Sequence, residues 1–236
     1  MNQHKPNQST GVFIQGYSGD AEMIRGALPL MEHHKVPVVV LSPEDAPILE
    51  MGGHKCLVGG KNGWGQREAI DRQIAHFRLA LEMGFDFYLF HESDSFVLEP
   101  ELPQYLYDRK DEVFSNEVRD PRGWMPEFGK EYHKPLPSIA MQNPYFMSKE
   151  SLRKIIEVSP QVEIDPITPL SDWSIVQYCW QANIKTARFH SCCSCDTREP
   201  FWRRFMECSV AIEGASFIHG VKSDEIRDYL LRIYRR

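Results

Sequence analysis

Apolar residues in this chain come in short dense runs, each followed by turn-formers. Val12-Phe13-Ile14 runs into Gly16-Tyr17-Ser18-Gly19, Pro37 to Leu41 into Ser42-Pro43, and Phe87 to Phe90 into His91-Glu92-Ser93-Asp94. Continuous apolar runs bounded by turns read as strands buried on both faces. Between them the period becomes helical. Ile24, Leu28 and Met31 mark one helix, with Asp20 as its cap and Pro29 as a kink. Ile70, Ile74, Phe77 and Leu81 mark a longer one that stops at Gly84. Lys55 to Val58 is a weaker strand ahead of the glycine-rich turn over residues 59–65. This alternation predicts an α/β fold with a Rossmann-like, mostly parallel central sheet flanked by helices.

Order loosens after Pro100. Val118 to Pro137 holds four prolines and two glycines without a period, which suits a functional loop or lid better than a connector. Ala140 to Met147 resumes a strand, and Ser148 opens a helix carrying Leu152, Ile155 and Ile156. Ser171-Asp172 opens another, with Trp173, Val176 and Trp180 on one face. Lys185 to His190 is a strand, Phe201, Phe205 and Ile212 indicate a helix, and Ala215 to His219 a short strand. A last helix follows Ser223. Residues 1–10 read as a disordered tail and 11–236 as one domain, with an elaborated half over 100–236.

Composition narrows the class. The chain has 236 residues, 42% hydrophobic and 25% charged, which suits one ordinary globular domain. A net charge of −6 gives no global attraction to nucleic acid or anionic membrane. The polar start MNQHKPNQST does not read as a signal peptide, and Val38 to Leu41 is too short to span a bilayer. With six cysteines read as reduced thiols, the expectation is a soluble, cytoplasmic protein without a membrane partner. His190, Cys192, Cys193, Cys195 and Cys208 lack the paired C-x₂-C hooks of a zinc site.

The stretch from Asp86 to Glu99 carries the chemistry. Glu92 and Asp94 stand two residues apart at the carboxyl end of a buried strand, where carboxylates are costly without a counter-charge. That edge is where open α/β sheets bind ligands. A divalent cation carrying a phosphorylated ligand is the simplest counter-charge, and oxygen donors favour Mg²⁺ or Mn²⁺. The plain alternative is a strand-to-turn junction in which Ser93 and Asp94 make local turns.

In their order along the chain, GVFIQGYSGD, VVVLSPEDAP, FYLFHESDS, NPYFMSKESLRKI, SDWS and FIHGVKS resemble a GT-A fold nucleotide-sugar glycosyltransferase, over roughly residues 11 to 225. One position departs: the family's acidic motif begins with Asp, and here stands Glu92. The resemblance implies a metal-dependent glycosyltransferase that moves a sugar from a nucleoside diphosphate sugar, UDP-linked by expectation, to an acceptor hydroxyl with inversion. It implies a nucleotide-sugar-binding half over 11–99 and an acceptor-binding, metal-completing half over 100–236. Mn²⁺ or Mg²⁺ would sit on Asp94 and His219, with Glu92 reaching the metal or the ribose. Gln15, Gly16, Tyr17, Asp45, Lys61, Arg67, Asp71, Ser93 and Lys222 would hold the donor. Asp172 would be the general base, unless it is only a helix cap. Trp124, Tyr132 and Trp173 would meet the acceptor. That acceptor is a glycan or small-molecule hydroxyl, or alternatively a hydroxymethylated pyrimidine in viral DNA, for which Arg109, Lys110, Arg119, Arg122, Lys130 and Lys134 would supply a basic surface. A sugar-nucleotide nucleotidyltransferase would need a basic glycine-rich turn after the first strand, and Gly16 to Asp20 has no Lys or Arg. A non-catalytic sugar-nucleotide-binding module would not need Asp94, Asp172 and His219 together.

Overall fold

The apolar runs form the middle of a sheet. The computed structural model describes residues 9–31, 36–62, 66–97, 102–119, 139–162, 171–189, 192–194 and 217–219, with Asp228 and Arg232. Strands β1 (Thr10–Gln15), β2 (Val38–Ser42), β3 (Lys55–Val58) and β4 (Phe87–Glu92) lie in the order β3-β2-β1-β4, all parallel. Helices α1 (Ala21–Met31) and α2 (Gln66–Glu82) supply two of the crossovers. The sheet then continues β7-β6-β8, with β6 Glu112–Arg119, β7 Ile139–Ser148 and β8 Lys185–Arg188. β7 is antiparallel to both β4 and β6, and β8 is parallel to β6. The sheet is therefore mixed, with its parallel half holding the sequence's densest apolar runs.

Strand alternation sorts the core into two layers. Val12, Ile14, Phe87 and Leu89 meet Ile24 and Leu28 of α1 on one face. Phe13, Tyr88 and Phe90 meet Ile70, Ile74 and Phe77 of α2 on the other, where Leu152 and Ile155 of α4 (Lys149–Val158) and Ile175 and Val176 of α5 (Ser171–Gln181) also pack. Ser148 caps α4 as the sequence predicts, accepting from the Ser151 N–H at 3.3 Å. A second sheet joins β5 (Phe96–Val97) to β10 (Phe217–His219), and β10 to β9 (Cys192–Ser194).

Several boundaries differ from expectation. β1 opens at Thr10, and the Ser9 N–H and hydroxyl both donate to the Asp86 carboxylate at 2.9 Å, so the fold takes in the last residues of the expected tail. Val118 and Arg119, read as the start of the lid, are the end of β6. That strand also carries the buried polar pair Ser115-Asn116 at a register shift against β7. The bulge removes the alternation a sequence reading needs. The short helix α3 (Gln104–Asp108) lay in the same irregular stretch. On α5 the buried stripe is Ile175, Val176, Tyr178 and Cys179, while Trp180 is 59% exposed and leaves the expected apolar face. The rest of the lid, the helix at Phe201 to Ile212 and the cap at Ser223 lie outside the described residues.

Candidate functional site

Strand order reverses between β1 and β4: the chain builds β3-β2-β1 outward to one side and β4 on the other. Loops leaving two such strands diverge, and a crevice opens at their carboxyl ends. A cleft of about 370 Å³ lies there, lined by Gln15, Gly16, Tyr17, Asp20, Met23, Arg72, His76, Glu92, Ser93 and Asp94.

Its floor follows from local sequence. Gly16 follows β1, and a Cβ there would stand 2.7 Å from Ile24 Cδ1, so glycine lets α1 pack against the strand end. Its N–H donates to Leu41 O at 3.0 Å, tying the ends of β1 and β2. On the opposite wall Ser95 N–H donates to Glu92 O at 3.0 Å, closing a turn that carries both acidic side chains. Glu92 is exposed and Asp94 is buried, 8% accessible.

Asp20 links the two walls. Its carboxylate accepts the Tyr17 N–H at 3.3 Å and a hydrogen bond from Ser93. Burial raises the Asp20 carboxyl above its ordinary value, those two hydrogen bonds oppose the rise, Asp94 adds to it and Arg72 opposes it. Arg72, on α2, is the balancing cation. Burial lowers its guanidinium from the ordinary value, while Glu92, Asp20 and Asp45 pull it back, and a guanidinium stays charged throughout. Deeper in the cleft, burial and Arg72 push His76 down to about 4, so the ring is neutral at pH 7. Its nitrogens lean on the Ser42 and Gly59 carbonyls without a well-formed hydrogen bond. Gln15 Nε2 is likewise buried, with no partner among the described residues. Buried unsatisfied groups cost free energy that a bound polar ligand would offset.

The structure brings Gln15, Gly16, Tyr17, Glu92, Ser93 and Asp94 into one cleft, as the sequence reading grouped them. Asp45, Lys61 and Asp71 are exposed and stand outside its lining. Arg67 lies in the first turn of α2. Asp20, Met23, Arg72 and His76 are lining residues that sequence reasoning missed. Asp20 reads from sequence only as a cap, and Arg72 and His76 are not singled out; their spacing of four residues on α2 is the available signal.

The backbone directs three more expected residues, His219, Asp172 and Trp173, toward this edge. In the small sheet Ile218 pairs with Phe96 antiparallel, so His219 follows in register toward Ser95 and the acidic turn. β8 runs parallel to β6, which runs parallel to β4 across the antiparallel β7. α5 descends to β8 through the short connection at 182–184, which directs the N-terminal end of α5, with Asp172 and Trp173, toward the carboxyl edge of β4. Trp124, Tyr132 and Lys222 lie outside the described residues.

Among the described residues no three His, Cys, Asp or Glu side chains form a group able to hold a metal ion. The donor set in the cleft is Glu92 and Asp94, close enough to Asp20 for Asp94 to raise it. One or two carboxylates completed by a ligand's phosphates is the donor set that Mg²⁺ takes, so these residues fit a hard divalent cation arriving with its ligand. Among the described residues no helix is long and apolar enough to cross a membrane.

The sequence matches no protein-family profile and no curated protein. Among solved structures, the chain is similar to a glycosyltransferase involved in the glycosylation of the major capsid of PBCV-1. The TM-score is 0.51 at 12% identity, covering 95% of this chain and 99% of that one. At that identity the likeness is one of fold: this chain's mixed α/β domain, with its seven-stranded central sheet, is similar in fold to a known glycosyltransferase.

Proposed function

We propose that the chain is a GT-A-type, metal-dependent glycosyltransferase that moves a sugar from a nucleoside diphosphate sugar, UDP-linked, to an acceptor hydroxyl with inversion. The observation that carries this reading is the cleft at the β1/β4 reversal, where Asp94, Glu92 and Asp20 line the walls with Arg72, which Glu92 and Asp20 balance. The likeness to a known glycosyltransferase supports the class.

Gln15, Gly16 and Tyr17 hold the nucleoside at the end of β1. Arg72, with Lys222, meets the diphosphate, and Ser93 keeps Asp20 and the acidic turn together. Bound Mn²⁺ or Mg²⁺ supplies Lewis-acid neutralisation of the diphosphate leaving group. Asp94 and His219 would hold it, with Glu92 reaching the metal or the ribose. Asp172 takes the acceptor hydroxyl's proton as the new carbon–oxygen bond forms on the face opposite the departing diphosphate. The acceptor is a hydroxyl on a glycan or small molecule, stacked by Trp173, Trp124 and Tyr132. The capsid-glycosylation role of the structural neighbour is in keeping with an acceptor of that kind.

Incubation with a panel of sugar nucleotides and Mn²⁺ tests the reading without knowledge of the acceptor. Slow release of one free nucleoside diphosphate, abolished by EDTA, is the expected result. Inertness toward every donor rejects it, and formation of sugar 1-phosphate with nucleoside triphosphate, only when pyrophosphate is added, identifies nucleotidyl transfer instead.

A further inference from the structure

Arg72 is aimed by a clasp outside the cleft. The Asn62 N–H donates to Asp45 Oδ1 at 2.6 Å, and Arg72 Nη1 donates to Asn62 Oδ1 at 3.1 Å. Asp45 follows β2 and Asn62 follows β3, and the main chain laces the same two loops. Gly59 N–H donates to Ser42 O at 2.9 Å and Glu44 N–H to Gly60 O at 2.8 Å. Gly60 has φ +74°, and a Cβ there would stand 2.8 Å from Arg72 Cα. Only glycine lets the loop rest on the turn of α2 that carries Arg72. Arg72 lines the cleft; Asp45 and Asn62 do not.

We propose that Asp45 and Asn62 are positioning residues, a two-link clasp that fixes the Arg72 guanidinium toward the diphosphate of a ligand in the cleft. The inference rests on the reading that the cleft holds a nucleoside diphosphate, and it gives Asp45 a role different from direct contact with base or ribose. An arginine side chain carries about 2 kcal/mol of rotamer entropy. Holding one edge of its fork before the ligand arrives reduces the ordering cost on binding. One N–H is used by Asn62, which leaves the remaining donors for phosphate oxygens. Without ligand, the Glu92 and Asp20 carboxylates balance the same charge.

A double-mutant cycle read by calorimetry tests the clasp, with UDP, GDP and ADP plus Mn²⁺ as probes. Asn62→Ala weakens the bound nucleotide by about tenfold, the scale of one hydrogen bond to a charged group. Adding Asn62→Ala to Arg72→Ala weakens it no further, because the clasp acts only through the arginine. Arg72→Lys keeps the buried charge and gives the same coupling should Arg72→Ala fold poorly. Asp45→Ala matches Asn62→Ala, and Asp45→Asn, which keeps an acceptor oxygen, recovers most of that loss. Additive losses in the cycle, or an Asn62→Ala protein that binds as tightly as the native one, overturn the clasp alone. A native protein that binds none of the three nucleotides overturns the ligand reading and the clasp with it.

Discussion

Asp94→Asn is expected to abolish Mn²⁺-dependent nucleotide binding and to lower donor hydrolysis by at least about a hundredfold, the scale of losing a metal's charge stabilisation. Asparagine has the same shape but is a neutral and far weaker ligand for a hard cation. The fold is expected to survive. Asp94 raises the carboxyl of Asp20 and shares a cleft with Glu92, so removing its charge relieves like-charge crowding. The melting temperature is therefore expected to hold or rise while activity disappears, a combination that a purely structural aspartate does not give. Calorimetry with and without EDTA checks it: nucleotide affinity unchanged by EDTA and by the substitution removes the metal from the account.

Asp172→Asn is expected to lower kcat by a factor on the order of 10² to 10⁴ with little change in donor affinity, the range for losing a general base. Asp172 lies on α5, which packs against β7, and not on the β1 or β4 strand ends, so the proposed base and the proposed donor-binding residues stand on different elements. Asp172 is the second residue of α5, inside the helix and not its cap, and asparagine keeps its shape, so the substitution tests the base alone. Near-normal turnover, or a product of retained anomeric configuration observed by proton NMR, rejects the inverting mechanism.

The parallel half of the fold was legible because its strands are buried on both faces. Val12 to Ile14, Val38 to Leu41 and Phe87 to Phe90 carry their burial in composition alone. β6 was not legible, because Ser115 and Asn116 are buried polar residues at a bulge, and burial there is set by β7 and β8 rather than by side-chain type. At the site, Glu92, Asp94 and the Gln15 to Tyr17 turn announced themselves by standing at strand ends. Arg72 and His76 did not. A helix residue's contact with a cleft depends on how the helix is docked: on α2, Ile70, Ile74 and Phe77 pack into the core while Gly60 lies against Arg72. Asp45, an acidic residue after a strand expected to meet the donor, stands outside the cleft lining and accepts the Asn62 main-chain N–H.

In the proposed function, the crevice between the ends of β1 and β4 is where a nucleoside diphosphate sugar is bound for transfer. A crystal structure of the protein with UDP and Mn²⁺ measures this directly. The account predicts the diphosphate in the cleft between Gly16-Tyr17 and the Glu92–Asp94 turn, with the cation on the Asp94 carboxylate and Arg72 on a phosphate oxygen. A nucleotide bound away from that cleft, or a cation held there without Asp94, would contradict it.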